Sequence, residues 1–259
     1  MEQKSYLSFT IVTHNNQSNI ENTILSIIKA VNNLFTYKVF IVDNESVDNT
    51  IEIVKNINCP QIEIIPSKNR GFGFGHNVVL SKLESTYHFI VNPDVQIKNK
   101  NTLQIMINYM NQNPNVGLLS PLILNDDGSV QHLFRNRPTV VDAAIRFAGK
   151  NVLRKRQEKF INLASGYNQI LPIENASGSF MLVRTNIFKK VKGFDERYFM
   201  YYEDSDLTRK INEISSAMFV PIASVTHSWE RANGSNVRYM LIMLNSLYKY
   251  MHKWGWTLW

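Results

Sequence analysis

The segment Asn92-Pro93-Asp94-Val95 follows directly on the apolar run Phe89-Ile90-Val91. A buried strand that stops at an aspartate delivers one carboxylate to the rim of a sheet, where a divalent cation can bind. Two other patterns share that chemistry. The run Val39-Phe40-Ile41-Val42 stops at Asp43-Asn44, and Glu203-Asp204-Ser205-Asp206 lies far downstream. Together they suggest an enzyme that holds a sugar nucleotide through a metal ion and transfers the sugar. The donor's diphosphate is anionic. Mg²⁺ or Mn²⁺ bridging its phosphates eases its departure as a Lewis acid and needs few protein ligands. Asp94 is the candidate ligand, with Asn92 nearby; a plain Asn-Pro-Asp turn is the alternative.

His227 is a second candidate, because it follows the apolar run Ala223–Thr226 and begins the polar segment His227-Ser228-Trp229-Glu230. Imidazole binds metal or phosphate, although a lone histidine is usually structural. In Tyr201-Tyr202-Glu203-Asp204-Ser205-Asp206-Leu207, three carboxylates meet aromatics at a helix start. The macrodipole alone favours acids there. The functional reading is general-base catalysis, in which a held carboxylate takes the proton of an attacking hydroxyl. Mutual repulsion and aromatic packing would raise one member's pKa. The stretch Asn69-Arg70-Gly71-Phe72-Gly73-Phe74-Gly75-His76-Asn77 is glycine-rich ahead of a helix and would let backbone approach an anion. It follows the third strand and reads GFGFG, so it is no dinucleotide fingerprint, and no Walker lysine follows it. Arg70 could face a base or phosphate, or solvent. Ala176-Ser177-Gly178-Ser179-Phe180-Met181 is a small-residue turn feeding a strand, with room for a sugar or simply for close packing.

The elements that must position these groups alternate clearly over the first 95 residues. Leu7 to Val12 reads as a buried strand. Ser18-Asn19-Ile20-Glu21 has the form of a capping box, and Ile20, Ile24, Ile27, Ile28 and Val31 repeat behind it at helical spacing. Val39 to Val42 is a second strand. Ser46 or Asp48 caps a helix with Ile51, Val54 and Ile57 inward. Ile62 to Ile65 is a third strand, Gly73 to Leu83 a third helix, and Tyr87 to Val91 a fourth strand. Strands separated by helices imply right-handed crossovers and a parallel sheet, which binds ligands beyond its carboxyl ends. Polar residues gather there: Thr13, His14 and Asn15 after the first strand, Asp43 and Asn44 after the second, Asn92 and Asp94 after the fourth.

The rest is less regular. Leu103 to Met110 should be helical, Val116 to Leu124 extended, and Asn125-Asp126-Asp127-Gly128 a hairpin turn. An apolar helix near Val140 to Phe147 precedes a basic, polar stretch expected to be a mobile loop. Phe180 to Val183 is a strand and Asp204 to Ile214 a helix. Met218 to Val220 and Ala223 to Thr226 are two short strands. Val237 to Lys253 is an aromatic-rich helix.

With 44% apolar residues in 259, the chain can bury a large core, and 19% charged residues excludes wholesale disorder. One cysteine, Cys59, excludes an internal disulfide and fits a reducing compartment. The net charge of +7 suits anionic partners. The basic residues are scattered apart from Lys150, Arg154, Lys155, Arg156 and Lys159. No nucleic-acid motif appears, so no nucleic-acid partner is expected. No apolar run reaches the roughly 18 residues a spanning helix needs, and Met1-Glu2-Gln3-Lys4 leads into no signal-peptide core. A cytoplasmic protein, soluble or peripheral at the inner membrane face, is expected.

In order, Ile11-Val12-Thr13-His14-Asn15, Val42-Asp43-Asn44-Glu45-Ser46, Asn69-Arg70-Gly71-Phe72-Gly73, Asn92-Pro93-Asp94, Gly178-Ser179-Phe180-Met181, Gly193-Phe194-Asp195-Glu196 and Tyr202-Glu203-Asp204-Ser205-Asp206-Leu207 resemble the family 2 glycosyltransferases of the GT-A fold. The subgroup is similar to bacterial rhamnosyltransferase-type enzymes of surface-polysaccharide assembly, such as O-antigen or capsule. The resemblance implies an α/β fold with a Rossmann-like, nucleotide-binding mixed sheet flanked by helices. It would form one catalytic domain over 1–235, with a nucleotide-binding half over 1–95 and an acceptor half over 96–235, and then a C-terminal aromatic helix over 236–259. It implies inverting, metal-dependent transfer by single displacement. Thr13, Asn15, Asp43, Asn44, Arg70 and Gly71 would line the nucleotide pocket, and Asn77 would support the Arg70 loop. Asn92-Pro93-Asp94 stands where the family has Asp-x-Asp, so Asp94 would bind the metal with one charge fewer beside Asn92. Asp204 matches the catalytic base. Glu203 would contact acceptor or hold the loop, and His227 would touch metal or diphosphate. The donor would be dTDP-rhamnose, with a UDP-hexose or UDP-N-acetylhexosamine as the alternative. The acceptor would be a glycan or a lipid-linked oligosaccharide. The aromatic helix, dotted with lysines, would lie at a membrane interface, or serve as a core or homodimer helix. A non-catalytic nucleotide- or glycan-binding module is the rival of another class. A sugar-1-phosphate nucleotidyltransferase would need a basic, glycine-rich loop after the first strand, which is absent.

Overall fold

The computed structural model describes residues 6–32, 34–148, 152–228 and 237–259, with backbone only at 146–148. The expectations for Met1–Lys4, Lys150, Trp229, Glu230 and the 235/236 boundary fall outside these residues. In chain order the elements are β1 (Tyr6–Thr13), α1 (Ile20–Val31), β2 (Thr36–Asn44), α2 (Thr50–Asn56), β3 (Ile62–Ser67), α3 (Phe72–Asn77), β4 (Tyr87–Val91) and β5 (Val95–Gln96). Then come α4 (Thr102–Gln112), β6 (Val116–Leu124), α5 (Val140–Ala148), α6 (Arg154–Phe160), β7 (Leu171–Pro172) and β8 (Phe180–Arg184). The last are α7 (Thr185–Lys190), α8 (Glu203–Asn212), β9 (Ser216–His227) and α9 (Val237–Trp254).

The sheet runs β3-β2-β1-β4-β8-β6-β9-β5, with β7 also on β9. The expected parallel block is β3-β2-β1-β4. Beyond it β8 pairs antiparallel with both β4 and β6, so the sheet is mixed. Its central strands β1, β4, β8 and β6 are almost wholly buried because helices cover both faces. One face packs Ile20, Ile24 and Ile27 of α1 and Leu103, Met106 and Met110 of α4 against Phe9, Ile11 and Phe89. The other packs Phe188, Leu207 and Ile211 against Phe40, Ile90 and Met181. A third cluster joins Leu247, Tyr250 and Met251 of α9 to Ala143 and Tyr198.

Several local expectations are corrected. No side chain caps α1: the N–H groups of Asn19 and Ile20 both donate to Asn16 O, so a backbone turn replaces the Ser18–Glu21 box. The helix expected over Gly73–Leu83 ends at Asn77 and resumes as a 3₁₀ turn over Leu80–Lys82. Met218–Val220 and Ala223–Thr226 are one strand, β9, whose register to β6 shifts opposite Pro121/Leu122. Pro221 lies within that irregularity and has no N–H to give the ladder. The expected basic loop contains α6, tied by Arg156 to Asp142 at 2.8 Å and by the i,i+4 pair Arg154–Glu158.

Two histidines, His76 in the glycine-rich segment and His88 in β4, are fully buried. His76 has no partner for either ring nitrogen, and His88 uses only Nδ1, 2.8 Å from Ser8 Oγ. Burial pulls His88 down to about 3 and His76 well below the ordinary range, with His88 adding to the latter. The unfolded chain therefore binds protons that the folded chain refuses. Stability should fall once pH drops below about 6.5, by about 1.4 kcal/mol per pH unit for each such histidine. Urea midpoints at about pH 7.5 and 5.5 should show that loss, and His76→Phe should shrink it. An equal loss in the variant would clear His76.

Candidate active site

Pairing register brings the predicted strand-end groups together. Thr13 and Asp43 are register partners at the ends of β1 and β2. The loops that follow are laced to each other. Asn15 N donates to Ser46 Oγ at 3.0 Å, Asn15 Oδ1 accepts from Val47 N at 2.8 Å, and Asn16 N donates to Thr50 Oγ1 at 2.8 Å. Asn15 sits at φ 58°, a left-handed position that asparagine tolerates. Thr13 is buried and donates to Asn16 Oδ1; Asp43 Oδ1 accepts from Ser46 N. Asn44 is buried, with Nδ2 3.4 Å from Gly71 O and Oδ1 without a partner.

The glycine-rich segment packs against the chain itself. Gly71 has φ +109°, and a Cβ there would lie 2.2 Å from Phe199 O. Phe72 N donates to that same carbonyl at 3.0 Å. The Arg70 guanidinium lies over Phe74, 4.2 Å from the ring centroid. Asn77 grips Phe194 at both backbone polar atoms, giving Nδ2 to its O and taking its N–H on Oδ1, each at 2.9 Å. Asn77 thus fastens the segment after α7 that leads to α8.

Asp94 and His227 meet because β5 pairs antiparallel with the end of β9, Val95 opposite His227, and Ser228 N donates to Asp94 O. The turn ahead of them is held by α1, whose buried Thr23 donates Oγ1 to Pro93 O at 2.7 Å. Asp94 Oδ1 and His227 Nε2 lie 3.2 Å apart. Both atoms are buried, and neither makes a hydrogen bond of good geometry. Two inward-facing ligand atoms without partners fit a shared divalent cation. Among the described residues no third His, Cys, Asp or Glu joins them, so other positions would fall to phosphate oxygens and water.

The acid cluster divides into three roles. Asp206 is fully buried, and its Oδ1 takes Lys253 Nζ and Trp254 Nε1, each at 2.7 Å. That fastens α9 to α8. Glu203 is 6% exposed, and its Oε2 has no partner. Burial first, and the Asp204 charge second, push its pKa well above the usual carboxylate range. That burial favours Glu203 holding the loop over meeting an acceptor. Asp204 is half-buried, with Oδ2 accepting from Gly178 N at 3.1 Å and Oδ1 from Ser205 N at 2.8 Å. Tyr201 and Tyr202, just before it, have φ of 70° and 67°. Two consecutive left-handed aromatics mark a strained corner. Tyr250 of α9 stands against it, 5.7 Å from the Tyr202 ring.

The link between the two carboxylate sites is the turn before β8. Asn92 N donates to Ser179 O at 2.9 Å, while Gly178 N donates to Asp204. Gly178 and Ser179 are consecutive, about 3.8 Å apart at Cα. The antiparallel β4/β8 pair, Val91 opposite Phe180, puts the end of one strand beside the start of the other. A Cβ on Gly178 would touch Phe72 at 3.2 Å and Asp204 at 3.4 Å, so the turn, the glycine-rich segment and the start of α8 meet there. Residue patterns did not single out Gln131 or Thr23. Gln131 is a buried polar residue just past a hairpin turn, which was the available signal; Thr23 looks like any inward helix residue.

Residues 8–192 match the model of glycosyl transferase family 2. An N-acetylglucosaminyl-diphospho-decaprenol L-rhamnosyltransferase of Mycobacterium tuberculosis is 29% identical over 216 residues, which are 76% of this chain and 68% of that protein. Rhamnosyltransferase WbbL of Escherichia coli is 27% identical over 176 residues, 64% of this chain and 63% of its own length. The solved mannosyltransferase PcManGT of Pyrobaculum calidifontis, in complex with GDP-Man and Mn²⁺, superposes with a TM-score of 0.67. It is 16% identical, over 97% of this chain and 65% of its own. The chain thus spans about two thirds of the length of these relatives, and the mixed sheet with flanking helices is that of the GT-A glycosyltransferases.

Proposed function

The chain belongs to glycosyl transferase family 2, and on that premise we propose that it moves L-rhamnose from dTDP-rhamnose, with inversion, onto a glycan or lipid-linked acceptor in bacterial surface-polysaccharide assembly. One observation carries this reading. Asp94 and His227 turn unpartnered atoms toward each other, and Asp204 hangs from the same Gly178–Ser179 turn that holds Asn92.

Asp94 and His227 would hold a Mg²⁺ or Mn²⁺ ion, which when bound supplies positive charge to the departing diphosphate. Thr13, Asn15, Asp43, Asn44 and Arg70 line the rim where the base and ribose would lie. The N–H groups of Gly178 and Ser205 fix the Asp204 carboxylate in one orientation. Asp204 takes the acceptor hydroxyl proton as that oxygen bonds to the anomeric carbon and the bond to the diphosphate breaks. Burial and the Asp204 charge both disfavour a second negative charge on Glu203 at its side. Attack opposite the leaving group inverts the anomeric centre.

Two relatives whose names include rhamnosyl transfer support the choice of donor. Purified protein should turn over dTDP-rhamnose in preference to UDP-hexoses and UDP-N-acetylhexosamines, with inverted product by NMR. Preference for a UDP-sugar would move the donor assignment, and binding without transfer would make the chain a binding module.

We further propose that α9 meets a lipid surface. No helix among the described residues is long and apolar enough to cross a membrane. However, α9 exposes Val237, Leu241, Leu244 and Tyr248 along one stripe, with Trp256 beyond. Such a stripe on a basic protein suits an anionic bilayer. The chain should float with vesicles containing anionic lipid, and Leu241→Glu with Leu244→Glu should stay behind. Equal flotation of the double variant would refute this, and a doubled mass without vesicles would make the stripe a dimer contact.

A further inference from the structure

We propose that Gln131 is a positioning residue that decides which nitrogen of His227 faces the cation site; this rests on the cation reading above. Gln131 is buried, 96 positions from His227 in the chain, and its N–H donates to Ile123 O beside β6. Its side-chain amide is oriented by three contacts. Nε2 donates to the backbone oxygen of His227 at 2.7 Å and to Asn125 Oδ1 at 2.8 Å. That leaves Oε1 for His227 Nδ1, at 3.0 Å. An amide oxygen only accepts, so Nδ1 must carry the ring proton. In the neutral ring the lone pair is then on Nε2, facing Asp94 Oδ1 at 3.2 Å. Two lone pairs so close repel unless a cation lies between them.

The orientation of Gln131 is itself set by the hairpin. Asn125 Nδ2 donates to Ser129 Oγ at 2.8 Å, which turns Asn125 Oδ1 toward Gln131. Ser129 Oγ in turn donates to Asp127 Oδ1 at 2.6 Å. The bonds therefore run in one sense, from the His227 ring through Gln131, Asn125 and Ser129 to a carboxylate. A chain of that polarity orients the ring and strengthens Nε2 as a ligand. The Asn125–Gln131 hairpin, remote from every catalytic motif, becomes the support of the donor's cation site.

The direct test is ¹⁵N-resolved NMR of the His227 ring in the metal-free protein in mildly alkaline buffer. The Nδ1–H tautomer is expected, and the Nε2–H tautomer would overturn the proposal even if no variant folds. In parallel, Mn²⁺ affinity is measured in the presence of dTDP. Gln131→Met should weaken it about 10–100-fold, and Gln131→Glu, which keeps an acceptor oxygen opposite Nδ1, should recover part of the loss. Wild-type affinity in Gln131→Met would overturn the role. If the wild-type ring is Nδ1–H but the protein binds no Mn²⁺ with dTDP, the cation reading fails while the positioning of the ring stands.

Discussion

Asp204→Asn should reduce turnover by about 10²–10⁴, the span that a positioned general base contributes, while leaving donor affinity close to wild type. The two halves of that expectation have separate causes. Asparagine keeps an oxygen that can accept from Gly178 N or Ser205 N, so the turn before β8 should hold its shape. It cannot take the acceptor's proton. Neighbouring Glu203 offers no substitute, because its carboxyl is buried away from solvent and from an incoming acceptor. Single-turnover rates with dTDP-rhamnose, set beside dTDP affinity by calorimetry, separate the effects. Wild-type turnover would remove Asp204 from the mechanism. Lost affinity together with lost turnover would make it a structural residue of the turn.

The framework of the candidate site, its strand ends, was legible in the sequence because its signals are local. An apolar run that stops at a polar residue marks a strand end, and parallel strands put such ends on one rim. The strand ends near Thr13, Asp43 and Asp94 were read in that way. The loop chemistry was less legible. Asn15 and Asp48 also tie the first two loops together: Asn15 bonds Ser46 and Val47, and Asp48 accepts from Gln17 N and Thr50 N. The closeness of Gly71 to Phe199 depends on a contact across 128 positions, so a glycine that could admit a ligand looked the same as one that admits backbone. The division of labour among Glu203, Asp204 and Asp206 was hidden for a similar reason. It depends on Gly178 before β8 and on Lys253 and Trp254 at the end of α9. Gln131 is the clearest case. A polar residue after a hairpin gains a role only when the β5/β9 pairing delivers His227 to it.

Asp94→Ala has the other large expected effect, on binding rather than on chemistry. The proposed cation site would have two side-chain ligands among the described residues, Asp94 and His227, so losing one would remove half of the protein's hold on the ion. Asn92 stands where the resemblance implies a first aspartate, and among the described residues no further His, Cys, Asp or Glu joins the pair. The loss should exceed the roughly 10–100-fold typical of a change in an outer-shell partner. It should be confined to the metal-dependent part of affinity, since the rim at Thr13, Asp43 and Arg70 is untouched. The decisive measurement is a calorimetric titration with dTDP, with and without Mn²⁺, on wild type and Asp94→Ala. Mn²⁺ should tighten nucleotide binding to the wild type and do nothing for the variant. An unchanged Mn²⁺ effect in Asp94→Ala, or no nucleotide binding by the wild type, would contradict a cation-held donor at this rim.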